Sequence, residues 1–166
     1  DVLLINNAAT IGEIVPIDLK SELAIIEEYN LNIITPTLLC KKFIQSYNEK
    51  HKLIINLSSG AANKSIASWN TYCATKSALD RLTDVINKEN HKNLRIFSVH
   101  PGIVNTNMQA EIRNSDPNLF PLHQNFVDYH TQNSLISAKS TALKLHQIIV
   151  KKNNLEEIIL DLRDFQ

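Results

Sequence analysis

The chain has 166 residues, 43% of them hydrophobic and 20% charged, with Lys+Arg and Asp+Glu equal at 17 each. That balance excludes the basic excess of a nucleic-acid binder and the low hydrophobicity of a disordered chain, and the length suits one core, so residues 1–166 are expected to form a single domain. Apolar runs such as VLLI at 2–5 fall far short of the roughly 20 residues that cross a bilayer, so no membrane partner is expected.

Residues 2–6, VLLIN, are a short apolar run ending in polar residues, the pattern of a buried strand whose carboxyl end opens into a loop. After the loop NAATIGEIVPID, apolar residues at 23, 26, 29, 33, 34, 38, 39 and 43 keep a helical period, which predicts a helix over 19–47 that Pro36 kinks or divides. KLIINLSS at 52–59 reads as a second buried strand. From 68 to 90, Tyr72, Lys76, Leu79, Leu82, Thr83 and Ile86 recur at spacings of three and four, so a long helix is predicted there. LRIFSVHPG at 94–102 is a third strand, stopped by Pro101 and Gly102. Residues 103–135, with Pro117, Pro121 and many Asn, Asp and Gln, are expected to be irregular; 136–150 is a further helix and EEIILDL at 156–162 a last strand.

Strands alternating with helices predict an α/β fold, a doubly wound parallel sheet of about four strands with crossover helices. Such sheets bind ligands at the carboxyl ends of their strands, where Asn6-Asn7, Ser58-Ser59 and His100-Pro101-Gly102 fall. Cys40 and Cys73 lie in predicted helices without a CxxC pair, which suits a reducing cytoplasm better than a disulfide framework. The six histidines form no HExxH or Cys/His cluster, so no metal site is expected.

Tyr72 and Lys76, four residues apart in a helix, share a face, which brings an ammonium near a phenol. A phenol with an ordinary pKa near 10 must fall by about three to ionise near neutrality, roughly 4 kcal/mol, and a nearby positive charge supplies part of that. A serine hydroxyl could hold the substrate oxygen whose proton is exchanged. The pair alone is a common feature of helix surfaces. The order of the pieces is the stronger signal: a strand ending in NNAA, one ending in NLSS with Ser59 thirteen positions before Tyr72, the YxxxK helix, and a strand ending in HPG.

At these residues the chain resembles the short-chain dehydrogenase/reductase family, and the resemblance runs over essentially its whole length. It implies a Rossmann-like sheet and hydride exchange between NAD(P)H and a carbonyl or alcohol. It gives Tyr72 the role of general acid-base, Lys76 that of lowering the tyrosine pKa and binding the nicotinamide ribose, and Ser59, rather than Ser58, that of orienting the substrate carbonyl. Asn32 would position a water that links the lysine to solvent, although Asn30 is nearby and an asparagine in a helix can simply face water. Asn6, Asn7 and Ala8 match a turn beside the adenosine half of the cofactor, with Ala9 where the family has glycine. Pro101, Gly102, Ile103 and Thr106 match the segment that meets the nicotinamide carboxamide or diphosphate.

The stretches WNTYCATKSALD, HPGIVNTNM and LDLRDF are most similar to the sepiapterin reductase and benzil reductase branch, which implies NADPH, with NADH less favoured, and a small dicarbonyl substrate. Ser137 stands where sepiapterin reductases carry a pterin-anchoring aspartate, which favours a diketone reductase over a pterin reductase. Trp69, Phe120, Phe126 and Tyr129 could wall the substrate pocket or simply pack in the core. Family members associate through the helices matching 19–47 and 68–90, so a homodimer or homotetramer is implied.

The family's glycine-rich turn, which lets the backbone approach a pyrophosphate, is absent, because the three glycines, Gly12, Gly60 and Gly102, are far apart. The chain opens at Asp1 inside a strand, without an initiator Met. The expectation is the C-terminal portion of a longer reductase that binds dinucleotide poorly by itself and leaves the strand at 2–6 with an exposed apolar edge. The alternative is an inactive relic serving as a structural or dimerisation module.

Overall fold

A computed structural model describes residues 1–165. Four strands, β1 (Val2–Asn6), β2 (Lys52–Leu57), β3 (Leu94–His100) and β4 (Ile159–Asp161), form one parallel sheet in the order β1-β2-β3-β4. The helices are α1 (Glu22–Tyr29), α2 (Thr35–Ser46), α3 (Asn70–Lys88), α4 (Asn107–Arg113), α5 (His123–Thr131) and α6 (Ala138–Lys151). This is the Rossmann-like α/β arrangement that the alternation of elements predicts. None of the described helices is long and apolar enough to cross a membrane.

All six residues of β2 are buried, as a strand covered on both faces requires. Because side chains alternate along a strand, Leu53, Ile55 and Leu57 pack with Phe97, Val99 and Ile148 on one face, while Ile54 joins Ile96, Ile86 and Cys40 on the other. The register pairs Asn6 with Asn56, Leu57 with Val99, and His100 with Asp161, so the strands end along one rim. β1 pairs with β2 alone among the described residues, and its Leu3 and Ile5 are exposed.

The helix predicted over 19–47 differs in two respects. It begins at Glu22, where Ser21 caps it by accepting from the Ala24 N–H, and a π-helical turn at Asn30–Ile34 interrupts it. Pro36 does not break the chain; it sits in the first turn of α2, where its missing N–H is tolerated because the wider turn has already shifted the hydrogen-bond ladder. Residues 103–135, expected to be irregular, contain α4 and α5, whose Ile112 and Phe126 join Phe120 in a buried cluster around Tyr72. Periods this short are hard to see among so many amides. The last strand is three residues long rather than seven.

The loop from β1 to α1 is held by a buried ion pair between Lys20 and Glu28 (2.5 Å), and Glu28 also accepts from the Thr71 hydroxyl at the start of α3. Gly12 lies against this carboxylate with φ of +64°, so a Cβ there would both strain the backbone and overlap Glu28. Gly12→Ala is expected to cost about 2 kcal/mol, a fall of roughly 4–8 °C in Tm by calorimetry; an unchanged Tm would contradict the close approach.

Candidate active site

α3 turns one face inward through Thr71, Tyr72, Thr75, Lys76, Leu79, Asp80 and Thr83. Tyr72 is 6% and Lys76 3% exposed. The Lys76 ammonium donates to the Leu57 carbonyl at the end of β2 (2.8 Å) and lies 5.7 Å from the centroid of the Tyr72 ring. Burial pulls Lys76 down to about 8, against the Asp80 charge acting upward. Burial pushes the Tyr72 phenol up, opposed by the Ser59 hydroxyl. The sequence argument has Lys76 lowering this phenol. The ammonium is directed to the Leu57 carbonyl and lies over the ring, and burial is the larger influence on the phenol.

Ser59 leads out of β2 with its hydroxyl accepting from the Ala61 N–H (3.1 Å) and facing Tyr72. Ser58 turns the other way: it is buried and donates to the Lys76 carbonyl (3.3 Å). Asn32 is 1% exposed inside the π-helical turn and does not face water. Its amide clasps Thr10 through both backbone groups (2.9 Å each) and reaches the Thr75 hydroxyl (3.3 Å), tying the loop after β1 to α3. Pro36, four residues on, has no N–H to give to the Asn32 carbonyl.

Asn6 is drawn into the interior, donating to Asn56 (2.7 Å), which in turn donates to Thr83 (2.9 Å). Asn7 and Ala8 stay exposed at the rim. With Asn32, Pro36, Leu57 and Lys76 they border a cavity of about 100 Å³. Pro101, Gly102 and Ile103 are half-buried beyond β3; Gly102 has φ of +79°, and the Ile103 carbonyl accepts from the Ile136 N–H (2.9 Å). Thr106 stands exposed at the head of α4. The structure therefore gathers Tyr72, Lys76, Ser59 and Asn32 around the start of α3, with Asn7 and Ala8 on the β1 side. Asn6 acts in the core beneath them.

On the other side of the phenol, Trp69 meets Tyr72 edge to face (5.5 Å), stacks on Phe120 (5.5 Å) and touches Phe126 (5.4 Å), and Tyr129 meets Phe126 (5.7 Å). Met108 Sδ lies 3.9 Å from the Tyr72 hydroxyl. Sequence reasoning missed Thr10 and Thr75, which secure Asn32, and also Asp80 and its contacts to Ser98 and His100. Asp80 left a trace in the sequence, four residues after Lys76 on a face otherwise filled by inward-facing residues. Ser137 caps α6, accepting from the Ser140 N–H (3.1 Å).

The family model of the short chain dehydrogenases matches residues 1–117. Benzil reductase ((S)-benzoin forming) from Bacillus cereus is 29% identical over 88% of this chain and 61% of its own length. Its counterpart from Bacillus subtilis is 32% identical over 99% of this chain and 69% of its own length. Sepiapterin reductase from Bos taurus is 28% identical over 89% and 57%. A short chain dehydrogenase/reductase structure from Saccharomyces cerevisiae superposes with a TM-score of 0.86, covering 98% of this chain and 66% of that one at 20% identity, a likeness of fold. The chain thus spans roughly three fifths of the Bacillus cereus relative.

Lys76 should be charged at neutral pH and lose its proton as pH rises through about 8. NMR of ¹³Cε-lysine, assigned by the signal missing from Lys76→Met, should give that midpoint; the ordinary lysine value, about 10.4, would contradict the burial.

Proposed function

We propose, from the premise that the chain belongs to the short-chain dehydrogenase family, that it carries the proton-transfer site of an NADPH-dependent carbonyl reductase acting on a small dicarbonyl such as benzil. The observation that carries this reading is a buried Tyr72 phenol beside the Lys76 ammonium, with the Ser59 hydroxyl facing it. In the direction of reduction a carbonyl oxygen gains charge and needs a proton, and a neutral phenol is the form that gives one. Ser59 would hold that oxygen. Lys76 would stabilise the phenolate left behind, its positive charge lying close to the ring.

A nicotinamide cofactor would supply the hydride. The donor set fits its riboside end: the Lys76 ammonium has three protons, one committed to Leu57, which leaves two for ribose hydroxyls. Asn7 and Ala8 on one side, with Pro101, Gly102, Ile103 and Thr106 on the other, would flank it. No phosphate-binding turn is formed by Gly12, Gly60 and Gly102, so residues of this chain fit the reactive end better than the pyrophosphate. The choice of NADPH over NADH rests on the resemblance to the benzil and sepiapterin reductase branch.

Trp69, Phe120 and Phe126 are buried against one another beside the phenol and hold Tyr72 in place, and the aryl diketone as substrate is carried over from the benzil reductase relatives. Sepiapterin is the alternative substrate from the same branch. A second reading is a structural module, for which the exposed Leu23, Ile26, Leu38 and Leu39 of α1 and α2 would provide an association surface. α2 and α3 would also be the homodimer or homotetramer contacts of an active reductase.

The folded chain mixed with benzil at millimolar NADPH should consume the nucleotide, and Tyr72→Phe should lower the rate on the order of 100-fold or more without changing the circular dichroism. Equal rates in the two proteins would remove Tyr72 from the chemistry. A folded chain that never consumes NADPH would favour the structural module.

A further inference from the structure

We propose that Asp80 is a positioning residue for the reaction: clamped by Ser98 and His100, its carboxylate is the counter-charge that keeps Lys76 protonated. This rests on the reading of Tyr72 and Lys76 as the proton-transfer pair.

Tyr72, Lys76 and Asp80 follow one another at four-residue spacing, one above the next on the buried face of α3. Lys76 makes no direct ion pair among the described residues; its ammonium is satisfied by a neutral carbonyl. An ammonium removed from water in this way tends to shed its proton unless an opposite charge lies near. Asp80, 5% exposed, is that charge.

Asp80 is held away from the ammonium by β3. Its Oδ1 accepts from the Ser98 hydroxyl (2.6 Å), and its Oδ2 is bonded to His100 Nε2 (2.8 Å). Burial would push this carboxyl up, but the hydrogen bonds to His100 and Ser98 hold it below the ordinary carboxylate range. The clamp has a consequence for the site. A carboxylate free to reach Lys76 would take the ammonium protons that a ribose and the phenolate need. One fixed to the neighbouring strand supplies the field and leaves the protons available.

No other group facing Lys76 replaces it. α3 brings Tyr72 and the Cys73 thiol besides Asp80, α2 borders the same cavity through the uncharged Thr35, Pro36 and Leu39, and β2 brings the Leu57 carbonyl, its one lysine, Lys52, lying at the far end of the strand. β3 brings His100, and beyond it Asp161 of β4 is engaged by Arg163 (2.9 Å). From α1, Glu28 is paired with Lys20. The π-helical turn, NLNII, and the segment GAAN at 60–63 carry no charge.

The test is the ¹³Cε-lysine titration of Lys76 in Asp80→Asn, which needs neither cofactor nor turnover and so stands apart from the reductase reading. Removing the charge should lower the Lys76 midpoint by about one pH unit, a tenfold loss of proton affinity, and Asp80→Glu should recover part of it. An unchanged midpoint in folded Asp80→Asn overturns the proposal. Should that variant fail to fold, the wild-type chain decides: by ¹³Cγ NMR, Asp80 should stay ionised across the whole range in which Lys76 titrates. A carboxyl that is protonated there overturns it equally. Where NADPH consumption is measurable, the alkaline limb of kcat/KM should shift to lower pH in Asp80→Asn, a change that a merely structural role would not produce.

Discussion

The bond from the Lys76 ammonium to the Leu57 carbonyl is the interaction on which the site depends. A charged side chain that is 3% exposed has to be satisfied inside the protein, and the last carbonyl of a central parallel strand is a fixed acceptor. The bond pins the middle of α3 to the end of β2. Tyr72 is thereby set one turn earlier, next to Ser59 as the chain leaves the strand. The same burial that makes the bond necessary lowers the lysine pKa and raises that of the phenol.

Around that bond the polar residues of the interior fall into two groups. Asn6, Asn56 and Thr83 run from β1 across β2 to α3 beneath the site and fix the helix on the sheet. Asn32, Thr10 and Thr75 do the same for the loop above it. Each amide that satisfies another buried group avoids the cost of an unpaired polar atom, and this makes such networks specific about geometry. The π-helical turn belongs to the second group: by widening the helix ahead of Pro36, it places Asn32 inward at the level of Thr10.

Much of this was legible in the sequence. VLLIN, KLIINLSS and LRIFSVH could be recognised as strands because a parallel sheet is apolar on both faces, and α3 because its inward residues keep a strict spacing. The nearness of Tyr72 and Lys76 followed from their spacing on one helix, and that of Ser59 from the family resemblance. What could not be read depends on partners distant in sequence. The aim of the Lys76 ammonium is decided by the position of Leu57, and the Asp80 clamp by Ser98 and His100 on a strand that follows the helix. The inward turn of Asn6 is decided by Asn56 opposite it. α4 and α5 are short, and they are positioned chiefly by the apolar cluster that Ile112, Phe120 and Phe126 form over Tyr72.

The central claim is that the residues around Tyr72 deliver a proton to a carbonyl whose carbon receives a hydride from nicotinamide. The most direct measurement is to supply NADPH deuterated at the transferable position together with benzil, and to locate the label by NMR and mass spectrometry. The account requires one deuterium on the new carbinol carbon, with the hydroxyl proton derived from solvent and the transfer dependent on Tyr72. Alcohol formed without carbon-bound deuterium, using NADPH labelled in turn on each face, would contradict it.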